Sequence, residues 1–457
     1  MNTRKSRLVL AVAATFATAM AGNAQAAFFQ LAENSASGLG NAFAGGAAIA
    51  EDASAVWYNP AGLTRLSGSQ LVVAGHLIQP STEFSPASAT TVLGGPISGG
   101  NGGDAGEFAV VPNIYFSHQF SDRLTFGLGI NAPFGLATDY NDGWVGRYHA
   151  DRSEIMSINI NPALGFKLSE QFSIGVGVNY QKLEAELSQA IDFATICTTA
   201  AGGAFSGVCG NGAGFNPNTN PNDGFGKVTA DDDAWGYNLG ILWQVGNGTR
   251  LGLAYRSKME YELSGNLDIT VPGNVPAPLV AGGGFVDSGA KADVTLPATF
   301  SLSVYHQITP AWAIMGDITR TNWSDLPELR IVFDSAQPNS VTTLRLEDVY
   351  RYSIGGVYSA SGGWTYRAGL ALDQSPTPNA RDRSVRLPDE NRIWLAFGVG
   401  YKPSKTLNFD VGLAYIKLDD PVLAKTTADA ENAARGNLSG TYESDVKILS
   451  GQVNWKF

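Results

Sequence analysis

Apolar and polar residues alternate with a period of two along most of this chain. Leu124, Phe126, Leu128 and Ile130 share one face of a segment whose other face carries Thr125, Gly127, Gly129 and Asn131. Ile174, Val176, Val178 and Tyr180 stand opposite Ser173, Gly175, Gly177 and Asn179. Trp364, Tyr366, Ala368, Leu370 and Leu372 oppose Thr365, Arg367, Gly369, Ala371 and Asp373, and residues 407–415 repeat the arrangement. This period marks β-strands, and a water-soluble sandwich alternates in the same way. Such a sandwich does not so consistently gather Leu and aromatic residues on one face and Gly, Asn and Arg on the other.

Fourteen such segments can be counted, near 68–79, 110–120, 124–135, 155–167, 172–191, 234–245, 250–265, 293–307, 312–334, 345–359, 364–373, 391–402, 406–418 and 442–457. The breaks between them come in two kinds. Short turns, such as Ser121-Asp122, Ser169-Glu170, Thr309-Pro310 and Ser361–Gly363, alternate with long polar loops at 81–109, 136–154, 192–233, 266–292, 335–344, 374–390 and 419–441. Short turns at one end, long loops at the other and an even strand count are the pattern of an outer-membrane barrel. The pattern therefore predicts an all-β fold, a 14-stranded antiparallel transmembrane β-barrel, over residues 67–457. The chain ends Val453-Asn454-Trp455-Lys456-Phe457, with an aromatic residue on the lipid-facing parity, and this ending resembles the C-terminal signature of bacterial outer-membrane proteins.

Residues 27–66 do not alternate. They are rich in Ala, Gly and Ser and hold too few large apolar residues for a core of their own, so they are expected to be ordered only inside the barrel, as an N-terminal hatch of short helices. Before them, Arg4, Lys5 and Arg7 precede the apolar run Leu8–Ala21 and the sequence Ala24-Gln25-Ala26. That run is too short to span a bilayer. Residues 1–26 thus read as a cleaved signal peptide, with the mature chain starting at Ala27.

Composition agrees with a barrel. Glycine occurs 54 times, aromatic residues make up 10% and charged residues 16%, while mean hydropathy is −0.04. The net charge of −11 gives no support to nucleic-acid binding, which wants basic stripes. Cys197 and Cys209 lie in one Gly/Asn-rich stretch of an exported chain, where a local disulfide is the expected state. The four histidines (His76, His118, His149, His306) form no metal-spaced cluster, and there is no G-x-S-x-G motif. Neither a catalytic set nor a cofactor or metal is expected.

The stretch AFFQLAENSASGLGNAFAG, followed by AIAEDAS and Asn59-Pro60-Ala61, resembles the N-terminus of the FadL/TodX family of outer-membrane transport proteins. The likeness continues through Pro133–Thr138, Trp144–Tyr148, Asn161-Pro162, Asp373–Pro376 and Arg386–Asp389. What it implies is a barrel with a hatch that takes up long-chain fatty acids or aromatic hydrocarbons by diffusion. Its other partners would be outer-membrane lipid and lipopolysaccharide, and a monomer suffices. An open porin is disfavoured by the plug, and an energised transporter would need a much larger plug domain.

The candidate site has four parts. Asn131-Ala132-Pro133-Phe134-Gly135 interrupts the third strand: Pro133 cannot donate to the ladder and Gly135 relaxes the backbone, so a bulge or kink is expected there. The resemblance makes this kink a lateral exit. Asn59, Pro60 and Ala61 form a rigid turn, which the resemblance assigns to the hatch. Leu136, Tyr140, Trp144, Val145 and Tyr148, with Phe193, Ile196, Phe205, Val208 and Phe215 in the next outer loop, either form an apolar capture groove or pack the loops against each other. By parity Arg256, Arg351, Arg367 and Arg392 face the lumen near Asp317 and Asp410, either to anchor a ligand carboxylate or to hold the plug. The basic residues that a fatty-acid member of the family carries fall on Leu187 and near Thr342 here, which leaves an uncharged substrate open.

Overall fold

In the computed structural model the described residues are 28–199, 223–273 and 275–457. Twenty strand segments form one wall. They are β1 (Ser69–Thr90), β2 (Ala109–Ser121), β3 (Leu124–Asn131), β4 (Gly135–Asp139), β5 (Arg152–Lys167), β6 (Phe172–Ile191) and β7 (Gly224–Gly246). There follow β8 (Thr249–Arg256), β9 (Met259–Thr270), β10 (Ser288–Leu296), β11 (Thr299–Gln307), β12 (Trp312–Thr321), β13 (Glu328–Phe333) and β14 (Ser340–Thr343). The last are β15 (Val349–Ser359), β16 (Trp364–Asp373), β17 (Arg392–Tyr401), β18 (Leu407–Leu418), β19 (Val422–Lys425) and β20 (Asn437–Lys456).

Four staves are broken and resume: β3 as β4, β8 as β9, β10 as β11 and β12 as β13. Counting each pair once, and β14 and β19 as short additions, the wall is a 14-strand antiparallel barrel. It closes through β1 and β20, paired from Gln70↔Lys456 to Thr90↔Asn437. Pairing the first strand with the last gives both a neighbour in lipid, where an unsatisfied backbone group costs several kcal/mol.

The alternation points as the sequence requires. Val73, Ile114, Phe397, Val411 and Leu413 are exposed on the outer face, while His76, Asn113, Asn161, Asp317 and Gln452 are buried toward the lumen. Ring pairs Trp312–Tyr358 (4.6 Å), Trp364–Tyr401 (4.5 Å) and Trp455–Phe457 (4.8 Å) lie beside the short turns, as an aromatic girdle should.

Several strands outrun the apolar pattern. β1 extends to Thr90, β7 begins at Gly224 and β20 at Asn437; in the β1–β20 extension the outward face is polar, Glu83 and Ser85 pairing with Glu443 and Thr441, while Phe84 and Tyr442 point inward. Backbone pairing continues there without a lipid-facing stripe to announce it. Conversely, the continuous segments expected at 250–265, 293–307 and 312–334 are each interrupted, at Ser257-Lys258, Pro297-Ala298 and Asn322–Pro327.

The lumen holds short helices at Ala36–Leu39, Gly46–Ile49 and Ala55–Tyr58, then a 3-10 turn over Pro60–Arg65. Ser35 caps the first by accepting from the Gly38 amide at 3.1 Å. Asp52 accepts from the Ser54 amide and hydroxyl and from Gln452 on β20, tying this segment to the wall. The wall admits the helices because its lumen face is glycine where they touch. A Cβ at Gly240 would overlap Asn59, and one at Gly369 would overlap Asn41.

Candidate functional site

The third stave breaks where Pro133 predicts. β3 pairs with β5 as far as Asn131↔Asn159, and β4 resumes at Gly135↔Met156, so Ala132–Phe134 bulge against two residues of β5. On the other side β2 pairs with β3 only from Ile114 downward, leaving Ala109–Asn113 joined to β1 alone. The bulge is held from within. Ser157 donates to the Phe134 carbonyl at 2.7 Å and accepts from its amide at 2.9 Å. The Leu31 amide donates to the Pro133 carbonyl, and the Gly135 amide donates to the Phe29 carbonyl.

A cavity of about 770 Å³ lies inside this break. Its floor is the hatch, with Phe43, Trp57 and Tyr58. Its wall runs past Asn131, Ala132, Phe134 and Gly135 to Ile130, Met156 and Ile158, which face outward. Phe28 and Phe29 separate it from a smaller, almost wholly apolar pocket of about 100 Å³ toward the outer loops. Leu136 lines both. Leu187 and Thr342 line the smaller one, so the positions where the resemblance expects basic residues do face the path, and here they carry no charge.

The lumen arginines divide. Arg367 is committed to the plug: it pairs with Asp410 at 2.7 Å and with Glu51 of the hatch at 2.5 Å, and it does not line the cavity. Arg392 pairs with Asp389 at 2.6 Å and donates to the Phe28 carbonyl. Arg392 lines the cavity, as do Arg351 and Arg256. Arg351 donates to the Ala42 carbonyl at 3.0 Å and stands 3.8 Å from Asp373. Arg256 lies 3.5 Å over the Trp57 ring and donates to Asn179 and to the Trp57 carbonyl, with no ion pair among the described residues. Asp317 is bound to Ser303 and Thr319.

Asn59 fixes the hatch to the wall. Its amide donates to the Ala47 carbonyl at 2.7 Å and to Ile241 of β7 at 2.9 Å, while its oxygen accepts from the Ala61 amide. Pro60 follows as the first residue of the 3-10 turn, where its missing N–H costs nothing.

The outer-loop aromatics do not form an open groove. Tyr140 and Trp144 stack at 3.8 Å, Phe84 meets Trp144 edge-on, and Tyr148 and Val145 are buried with them. Phe193 is buried against Phe285 in a separate cluster. Of the groove candidates Leu136 lines a cavity, and the others described pack loop to loop, because large aromatic faces in crowded loops bury against each other. Cys197 is disulfide-bonded. Cys209, Phe205, Val208 and Phe215 lie outside the described residues.

The sequence reading missed the aromatic cluster that divides the two cavities. Phe28, Phe29 and Phe134 surround Trp323, with ring distances of 5.1–6.3 Å. Trp323 sits in the break of the ninth stave, so two wall interruptions meet across the lumen. The only signal was a pair of phenylalanines in an otherwise small-residue stretch.

A family model described as "Outer membrane protein transport protein (OMPP1/FadL/TodX)" matches residues 17–457. The long-chain fatty acid transport protein of Escherichia coli (strain K12) is 30% identical over 446 residues, covering 96% of this chain and 97% of that one. Outer membrane protein P1 of Haemophilus influenzae is 32% identical over 420 residues, covering 88% and 89%. Among solved structures, a Pseudomonas aeruginosa FadL homologue superposes with a TM-score of 0.85 at 24% identity, over 94% of this chain and all of that one. The Pseudomonas putida toluene transporter TodX gives 0.64 at 17% identity, over 89% and 94%.

Proposed function

Since this chain belongs to the FadL/TodX family of outer-membrane transport proteins, we propose that it carries long-chain fatty acids inward from the cell surface. It is a bacterial outer-membrane β-barrel that transports hydrophobic compounds, and it is not an enzyme. In the proposed route, substrate enters from the outer loops, rests in the lumen and leaves sideways into the bilayer through the break at Asn131–Gly135. Residues 1–26 are removed as a leader, 27–66 act as the hatch and 67–457 as the barrel. The protein works as a monomer among outer-membrane lipid and lipopolysaccharide.

The observation that carries this reading is the course of the large cavity, which touches the hatch at Trp57 and Tyr58 and the lipid-facing side chains Met156 and Ile158 at the break. An apolar solute needs apolar wall along its path, because a water-filled pore offers it no favourable environment, and Phe43, Trp57, Phe134 and Ile158 supply it. Aromatic-hydrocarbon uptake is the second reading, favoured by the uncharged Leu187 and Thr342 in the smaller pocket. The test is accumulation of radiolabelled oleate and toluene by cells that lack their own uptake route and express this chain. Oleate above the vector control supports the first reading and toluene alone the second. Neither above control would refute transport by this path.

A further inference from the structure

Arg386 belongs to the long loop between β16 and β17 and lines the smaller apolar pocket with Phe28, Phe29, Leu187, Leu263 and Ile331. It is held firmly. Thr138 donates to its carbonyl at 3.0 Å, and Tyr140 donates to the carbonyl of Val385 beside it at 2.8 Å. Its guanidinium caps the upper ends of β5 and β6: Nη1 donates to the Arg152 and Ser188 carbonyls and to Ser153 Oγ, and Nη2 to Gln189 Oε1. Every one of these acceptors is neutral.

Neighbouring arginines are treated differently. Arg383 has Glu390, Arg392 has Asp389 and Arg147 has Asp223. Arg386 has no carboxylate within ion-pair distance among the described residues; Asp151 acts on it only from farther off, and Arg435 opposes it. Burial pulls its pKa down to about 9, as expected for a desolvated cation with no adjacent anion. The two Nη1 hydrogens are shared among three acceptors and Nη2 serves one, which leaves Nε–H and one Nη2 hydrogen without a partner among the described residues, and these two nitrogens form one edge of the guanidinium. That edge takes a carboxylate side-on with two parallel bonds. The other cation at this pocket, Lys291, is exposed and stands on the opposite strand parity from the buried Ala290 and Ala292.

We propose that Arg386 is the anchor for the carboxylate of a long-chain monocarboxylic acid whose tail fills the pocket between Phe28, Phe29, Leu187 and Ile331. The proposal rests on the reading that this lumen path binds transported substrate. It locates the charge recognition on a loop residue, above a pocket whose wall positions Leu187 and Thr342 carry none. A half-buried cation that lacks an adjacent counter-ion is poorly compensated, and the ligand supplies that ion only when it arrives.

The test is equilibrium binding of radiolabelled oleate and of radiolabelled oleyl alcohol to the purified full-length barrel in detergent. The two ligands share a tail and differ at the head group. Oleate is expected to bind at least about tenfold tighter, and Arg386→Gln to cost oleate about ten- to a hundredfold in affinity while leaving oleyl alcohol unchanged. Arg386→Lys should recover part of the loss. Equal affinity of the wild-type protein for the two ligands would overturn the anchor while keeping the lumen path, and it needs no variant to fold. Undiminished oleate binding by a heat-modifiable Arg386→Gln barrel would overturn it as well. Saturable binding of neither ligand would remove the path itself, and the anchor with it.

Discussion

The Leu31 amide donates to the Pro133 carbonyl across 2.8 Å, so the first residues of the hatch are paired to the backbone at which the third stave loses its neighbours. The bond joins two features that lie a hundred residues apart in sequence. It means that the state of the hatch entrance and the state of the wall break are not independent: moving Phe28–Leu31 withdraws partners from the Pro133 carbonyl and the Gly135 amide together.

Closing the break should impair transport and spare folding. A Cβ on Gly135 would stand 3.1 Å from Leu31 Cδ1, so a valine there presses on the hatch entrance. Pro133→Ala restores a ladder donor. The double variant is expected to lower cellular oleate uptake several-fold and to keep heat-modifiable gel mobility. Normal uptake by the folded variant would sink the lateral route.

Removing Arg367 should loosen the plug. Asp410 would then be a buried carboxylate without its cation, which costs about 3–5 kcal/mol. Arg367→Met is expected to lower the thermal midpoint and to raise ion leakage in planar bilayers, and adding Asp410→Asn should restore part of both. Wild-type stability and conductance would show that Glu51 and Asp410 do not hold the hatch.

Glycine positions in the wall should separate into two groups by what faces them. Gly240→Val forces Asn59 of the hatch away from the wall, whereas a Cβ at Gly75, as in Gly75→Val, meets no atom within 4 Å. The first variant should leak ions or fail to give the heat-modifiable form, and the second should match the wild type in the same gel and bilayer assays. Equal behaviour of the two would refute steric seating of the plug.

Trp144 should matter for loop order and not for barrel integrity. It is fully buried between Tyr140 and Phe84, and a Trp→Ala change at such a site costs about 3–5 kcal/mol. Limited proteolysis of Trp144→Ala is expected to cut within 136–154 while the wall stays protected. Unchanged resistance would mean that the loop core is held by other contacts.

Much of the wall was legible because lipid imposes a simple rule on alternate residues. Val411 and Leu413 had to face outward, Asp410 and Gly412 inward, and no neighbour could overrule them. The kink was legible as well, since Pro133 lacks the donor that a ladder needs. The aromatic loop residues were less so. Tyr140, Trp144 and Tyr148 carry the same composition whether they face a ligand or each other, and their burial against Phe84 and Tyr442 follows from contacts with strands far away in the sequence.

The sequence by itself determined the barrel, its strand parity, the site of its break and the dependence of residues 27–66 on an enclosing wall, all consequences of local chemistry repeated along the chain. Tertiary structure alone decided which cations were free to meet a ligand. Parity put Arg256, Arg351, Arg367 and Arg392 on one face without distinction. Only the closed barrel showed that Arg367 is held by Glu51 and Asp410, while Arg386, from a loop that no periodicity describes, stands over an apolar pocket with neutral partners. Charge pairing is settled by what lies within about 4 Å, and closing a wall of fourteen strands brings those partners from every part of the chain.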